Sequence, residues 1–212
     1  RIYPANDKHY PDFCLIRLVA PNTELFDLAF HYIYPAGYIA TNIFLIDWQE
    51  GNWGNLSFND QFEYLYYAHH GKQFLADHYT VLEDKSSYAI PANEFEEIVL
   101  PYYNIDIETF QSLAQYHAEG DYYPWRPLNT NDFVKIWYYN IEPEVTAYVM
   151  NPDGTMTLTV QMLSADLKMD CLFAHEVTVR PLKNGNFQYV GNRITYQTEY
   201  GLPYSVPRLL WS

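Results

Sequence analysis

The run Asp121-Tyr122-Tyr123-Pro124-Trp125-Arg126, followed by Trp137-Tyr138-Tyr139, sets flat aromatic faces beside an acid and a guanidinium. Rings of this kind stack on sugars while neighbouring acids and amides bond the hydroxyls, so the chemistry on offer is recognition of a glycan or peptide. Trp48 and Trp53, within the stretch Asp47 to Asn55, offer a second platform. A core competes for the same rings, because in a chain with 22 Tyr and 18% aromatic residues most of them must pack somewhere.

His175 falls on the apolar face of an alternating segment, between Phe173 and Val177. An imidazole in a cleft serves as a general base, and the same position also suits a core histidine held by a hydrogen bond. His69-His70 with Asp77-His78 approaches metal-ligand composition. Neighbours on a helix point about 100° apart, however, so these two histidines do not face one ion, and no metal is assigned. Glu142 with Glu144, and Asp166 with Asp170, have the composition of glycosidase carboxylates, which work about 5 to 9.5 Å apart across a cleft. Nucleophile signatures of the G-x-S-x-G or S-x-x-K type are missing, as are phosphate-cradling glycine loops. No cofactor is implied.

These residues must be positioned by a fold, and 212 residues that are 49% hydrophobic suffice for a real core and argue against disorder. No apolar run approaches the roughly 20 residues of a membrane-spanning helix. A formal net charge of −14 repels phosphate, which removes nucleic acid and anionic membranes from the expected partners. The whole imbalance lies in residues 1–144, with 7 basic and 21 acidic side chains, whereas residues 145–212 hold 5 of each. Such an acidic region favours cationic partners weakly or serves as a solvated face. Cys14 and Cys171 match neither zinc nor redox spacing; they either pair at long range or pack as small apolar residues.

Residues 1–22, with the short run Cys14 to Ala20, read as an extended arm or edge strand. Asn22 then caps a helix through Leu25, Leu28, Ala29 and Tyr32, and β-branched and aromatic content predicts a strand over 38–48. The stretch 47–55 reads as a loop. Ser57 with Asp60 opens a helix that Gly71 ends, and 74–82 is open between helix and strand. Pro91 suits a first helical position, Pro101 ends that helix, and Asp106 caps the next. Residues 121–126 read as a loop.

From residue 145 the period becomes two: Met156, Leu158, Val160 and Met162 alternate with Thr155, Thr157, Thr159 and Gln161. Pro152-Asp153-Gly154 favours a type I turn with Gly154 left-handed, pairing Tyr148 with Leu158, although a tighter turn pairing Val149 with Leu158 stays open. Asn184-Gly185 predicts a two-residue turn pairing Leu182 with Phe187, Val179 with Val190, His175 with Ile194 and Glu176 with Arg193. The expectation is a single α+β domain over 1–212, with helices on one face of a curved antiparallel sheet. A mostly helical, acidic half (1–144) precedes hairpins (145–196) and a tail (197–212).

Ile90 to Glu96 leading to Tyr102-Tyr103-Asn104-Ile105, then Asn151 to Leu158, His175 to Arg180 and Phe187 to Val190, resemble a group of uncharacterised exported or lipid-anchored proteins from anaerobic Gram-positive gut bacteria. The likeness covers about half the chain. It implies an extracytoplasmic setting, secreted or anchored at the cell surface, with any signal segment outside this sequence, and it implies no reaction. The helix-then-hairpin order also looks like the nuclear-transport-factor-2-like (cystatin-like) cone, which hosts enzymes and binding modules alike. The function expected is therefore a non-catalytic binding or interaction domain for a glycan, peptide or envelope protein, using Trp48, Trp53, Asp121, Tyr122, Tyr123, Trp125, Trp137 and His175. The alternatives are a carbohydrate or cell-wall hydrolase using a carboxylate pair or His175, and a structural module with no small-molecule site.

Overall fold

The computed structural model describes residues 24–128, 141–203 and 207–209; the N-terminal arm, Cys14 and Trp137 lie outside them. In chain order the elements are α1 (Glu24–Leu28), a π-helical turn (Ala29–Ile33), β1 (Trp48–Gln49), α2 (Phe58–His70), β2 (Thr80–Val81), β3 (Tyr88–Pro91) and α3 (Ala92–Val99). A 3-10 turn (Leu100–Tyr102), α4 (Ile107–Leu113) and β4 (Tyr122–Trp125) follow, then β5 (Ile141–Met150), β6 (Met156–Ser164), β7 (Met169–Pro181) and β8 (Phe187–Gln197). The chain is α+β, with a five-stranded antiparallel sheet ordered β1-β8-β7-β6-β5 and a three-stranded one ordered β2-β3-β4. Among the described residues no helix is long and apolar enough to cross a membrane.

Alternation builds the larger sheet. Met156, Leu158, Val160 and Met162 are buried while Thr157, Thr159 and Gln161 are only half-buried, as a strand with one covered face requires. The Asn151–Thr155 turn is the wider of the two expected: Gly154 is left-handed at φ +83°, its N–H donates to the Asn151 carbonyl, and Tyr148 faces Leu158. The second turn is one residue wider than Asn184-Gly185 alone predicts. Gly185 N–H donates to the Leu182 carbonyl and only Gly185 has positive φ, so Phe187 pairs with Pro181, and Tyr189 with Val179. A bulge at Val190 then restores the expected pairs Glu176–Arg193 and His175–Ile194. It also turns both Tyr189 and Asn192 into the core, where strict alternation would bury only one of them.

The strand expected over 38–48 shrinks to β1. Most of 38–46 is buried, so this segment is a wedge in the interior, bent at Gly37 (φ +65°) and Ala40 (φ +53°). Its carbonyls find side chains in place of a ladder. Tyr64 Oη donates to Ile39 (2.8 Å), Trp48 Nε1 to Ile43 (2.7 Å) and Asn192 Nδ2 to Ile46 (2.8 Å).

Helix punctuation follows the sequence closely. Gly71 closes α2 left-handed at φ +66°, and the Asp106 side chain accepts from Thr109 N–H at the start of α4. Ser57 does not cap α2 with its own hydroxyl; its N–H donates to Asn42 Oδ1 at 3.0 Å. Residues 121–126, expected as a loop, supply β4, whose partner β3 runs straight into α3. The buried apolar side chains form one cluster. Within it Tyr102 and Tyr103 meet Tyr189 on the sheet, and Phe58, Phe62, Phe95, Phe110 and Tyr123 stack between the helices and β4.

Candidate functional site

β7 carries His175 into the core, fully buried. Asn192 Nδ2 is committed to the Ile46 carbonyl, so Asn192 Oδ1 accepts from His175 Nδ1 at 2.6 Å. This partner set puts the proton on Nδ1 and leaves Nε2 to accept from the Tyr38 hydroxyl, also at 2.6 Å. Burial lowers the imidazole pKa to about 4, against the pull of the Asn192 bond, so the ring is neutral at pH 7. A general base must meet substrate; this ring is enclosed by Tyr38, Phe44 and Phe173.

The aromatic residues singled out by type also serve the interior. Trp48 and Trp53 are buried with ring centroids 5.6 Å apart. Tyr123 stacks on Phe95 and donates its hydroxyl to Glu96 Oε1 at 2.6 Å, and Trp125 packs edge-on against Phe74. Tyr122 is half-buried, stacked on His117, and Asp121 is exposed, accepting from the Tyr116 hydroxyl. Trp137 falls outside the described residues. Of the rings in the described part of this set, Trp48, Trp53, Tyr123 and Trp125 are buried and Tyr122 is half-buried.

Of the acid pairs, Glu144 is buried, Glu142 half-buried, and Asp166 and Asp170 are exposed on the turn from β6 to β7 and the start of β7. His69, His70, Asp77 and His78 are exposed, and among the described residues no group of three His, Cys, Asp or Glu side chains could hold a metal ion.

A cleft of about 180 Å³ lies elsewhere, where the 54–57 loop enters α2. Asn55, Ser57, Asn59 and Asp60 line one side, Leu113 and Gln115 at the end of α4 another, and Pro207 and Leu209 of the tail a third. Asn59 ties the parts together, its Nδ2 donating to the carbonyls of Ala114 (2.8 Å) and Pro124 (2.7 Å). Two residues on, Gln61 is buried and accepts from the Tyr103 hydroxyl.

Between Pro207 and Leu209, Arg208 is inserted beneath α2 with its side chain 3% exposed. Nη2 donates to the Asp60 carbonyl (2.8 Å) and pairs with Glu63 Oε1 (2.6 Å). Nη1 reaches the Arg126 carbonyl (3.1 Å) and Nε the Ala40 carbonyl (3.4 Å). The Arg208 N–H meets both Asp60 carboxylate oxygens at 3.3 Å, and Arg126 Nη1 donates back to the Arg208 carbonyl. Burial pushes the Asp60 carboxyl up to about 7 although Arg208 draws it down. Reasoning by residue type missed this site. The available signal was polarity in the wrong place: Asn59 stands one turn before Phe62, on the stripe of α2 that should be apolar.

The arrangement holds a guanidinium and a short stretch of main chain. No curated protein and no solved structure matches the chain. A protein family of unknown function, DUF6070, matches residues 1–208, and the chain belongs to that family.

Proposed function

We propose that the protein is a non-catalytic, extracytoplasmic binding domain whose ligand is a peptide segment of a partner protein, taken at the cleft where α2 begins. The observation that carries this reading is the tail itself. Residues 207–209 already lie against the cleft as a peptide would, held by amide, carboxylate and carbonyl groups of α2 and its neighbours. Leu56, Leu113 and Leu209 supply apolar contact, and Asn55, Ser57 and Gln115 supply polar groups for a main chain. A glycan would want an aromatic platform, and among the described residues no aromatic side chain lines the cleft. The carboxylate pairs and His175 of the hydrolase reading do not line it either.

Gly54 provides the test. A side chain there would grow into open space from ordinary backbone, so Gly54→Trp adds bulk at the edge of the cleft without strain. Titration calorimetry of a panel of blocked hexapeptides and a panel of cell-wall glycan fragments should give heat with peptides alone, lost at least tenfold in Gly54→Trp. Binding of glycans only, no binding of either panel, or peptide binding that Gly54→Trp leaves unchanged overturns the reading.

A further inference from the structure

The seat of Arg208 has the features of a recognition subsite. The planar fork of a guanidinium is matched donor by donor: two carbonyls and a carboxylate take Nη1 and Nη2, and a third carbonyl takes Nε. A lysine ammonium would reach at most part of this set, because its three donors radiate from one atom. The four acceptor residues come from three places in the chain: Ala40 in the buried wedge, Asp60 and Glu63 on α2, and Arg126 after β4. They are assembled by the fold, independently of the tail that uses them.

The tail is attached differently. Among the described residues, 207–209 make no main-chain to main-chain hydrogen bond and belong to neither sheet. Their anchorage is the Arg208 side chain, the Arg208 N–H on the Asp60 carboxylate, and the Arg126 side chain on the Arg208 carbonyl. Segments held in this way come from the low end of local stability. Asp60 borders both the guanidinium seat and the cleft, and Pro207 and Leu209, the chain neighbours of Arg208, line the cleft. Displacing these residues joins seat and cleft into one groove.

We propose that this groove takes an arginine-bearing peptide, and that Arg208 is an internal stand-in which the incoming arginine must displace. The inference rests on the peptide reading above and adds the residue that is read. Two consequences follow from competition: the native protein binds such a peptide more weakly than a variant whose own arginine is gone, and lysine does not replace arginine in the ligand.

The probe is a blocked hexapeptide copying residues 205–210, Ser-Val-Pro-Arg-Leu-Leu, beside its lysine counterpart, titrated into the full chain and into Arg208→Ala. Arg208→Ala should bind the arginine peptide at least tenfold more tightly than the native chain does, and at least tenfold more tightly than it binds the lysine peptide. If Arg208→Ala does not fold, Arg208→Lys, which keeps the charge but loses the fork, takes its place with the same comparison against the native chain. Equal binding by native and variant chains, or equal binding of the two peptides, overturns the inference. Arginine-free peptides that bind and are blocked by Gly54→Trp would overturn it while leaving the peptide reading intact. If no peptide of either kind binds any of the chains, both fall.

Discussion

Gly191 passes so close to the Trp48 carbonyl that a methyl group there would sit 2.9 Å from the oxygen. The crowding atom is backbone, and the register Trp48–Asn192 and Gln49–Gly191 fixes it, so neither partner can rotate away. Gly191→Ala should therefore cost about 1–3 kcal/mol, the usual range for overpacking, by forcing β1 off β8. Gly54→Ala, whose added methyl meets nothing within 4 Å, should change stability little. Urea denaturation of the two variants, with the slope held equal, separates them.

His175 predicts a pH dependence with a defined sign. Its pKa is about 4 folded against 6.5 in the unfolded chain, so between these values the unfolded state binds the extra proton. The stability that the neutral ring contributes is complete above about pH 6.5 and is lost as pH falls towards 4. His175→Phe removes this slope. It also leaves Asn192 Oδ1 and the Tyr38 hydroxyl without their partner, at about 1–3 kcal/mol for each buried group. Denaturation curves from pH 4 to pH 8 should show lower stability at pH 8 and no His175 slope.

The salt bridges across the outer face of the sheet differ in expected worth. Arg180 grips Glu50 with both Nη atoms, at 3.0 and 2.6 Å, and Asn104 holds the same carboxylate at 2.6 Å, with both charged side chains about one-third exposed or less. Arg193 meets Glu176 at 2.6 Å with its own side chain 68% exposed. Glu50→Gln should cost about 1 kcal/mol at low salt, and Glu176→Gln should cost much less. Raising the salt concentration should shrink the Glu50 effect only partly and abolish the Glu176 effect.

How far the sequence could be read depends on which forces act locally. The alternation of Met156 to Met162, the left-handed ends at Gly71 and Gly154 and the cap at Asp106 are decided by neighbours within a few residues, and all are legible. The wedge at 38–46 is not. Its β-branched and aromatic residues read as a strand, yet both sides are covered and its carbonyls are satisfied by side chains, among them Tyr64 and Asn192 from other parts of the chain. The bulge at Val190 is equally hidden, since it answers to the approach of Glu50 N–H to the Val190 carbonyl at 2.7 Å. For the site, the type of a residue misled where its position informed. Tyr123 and Trp125 have the chemistry of a sugar platform but fill the core, whereas Asn59 and Asp60 look ordinary until their place on the apolar stripe of α2 is noticed.

Asp60 predicts a slope opposite to that of His175. Its carboxyl sits at about 7 in the folded protein against 3.8 in the unfolded chain, so between these values the folded state holds the extra proton. Its contribution to stability is complete below about pH 3.8 and is lost as pH rises to about 7, where burying the carboxylate costs more than Arg208 returns. In the native protein the two slopes oppose each other over most of the same range, which flattens the profile. Each variant uncovers the other group: Asp60→Asn should leave stability rising with pH between 4 and 6.5, and His175→Phe should leave it falling between about 4 and 7. Both come from the same chemical denaturation series, and parallel profiles in the two variants would show that neither group titrates as its surroundings require.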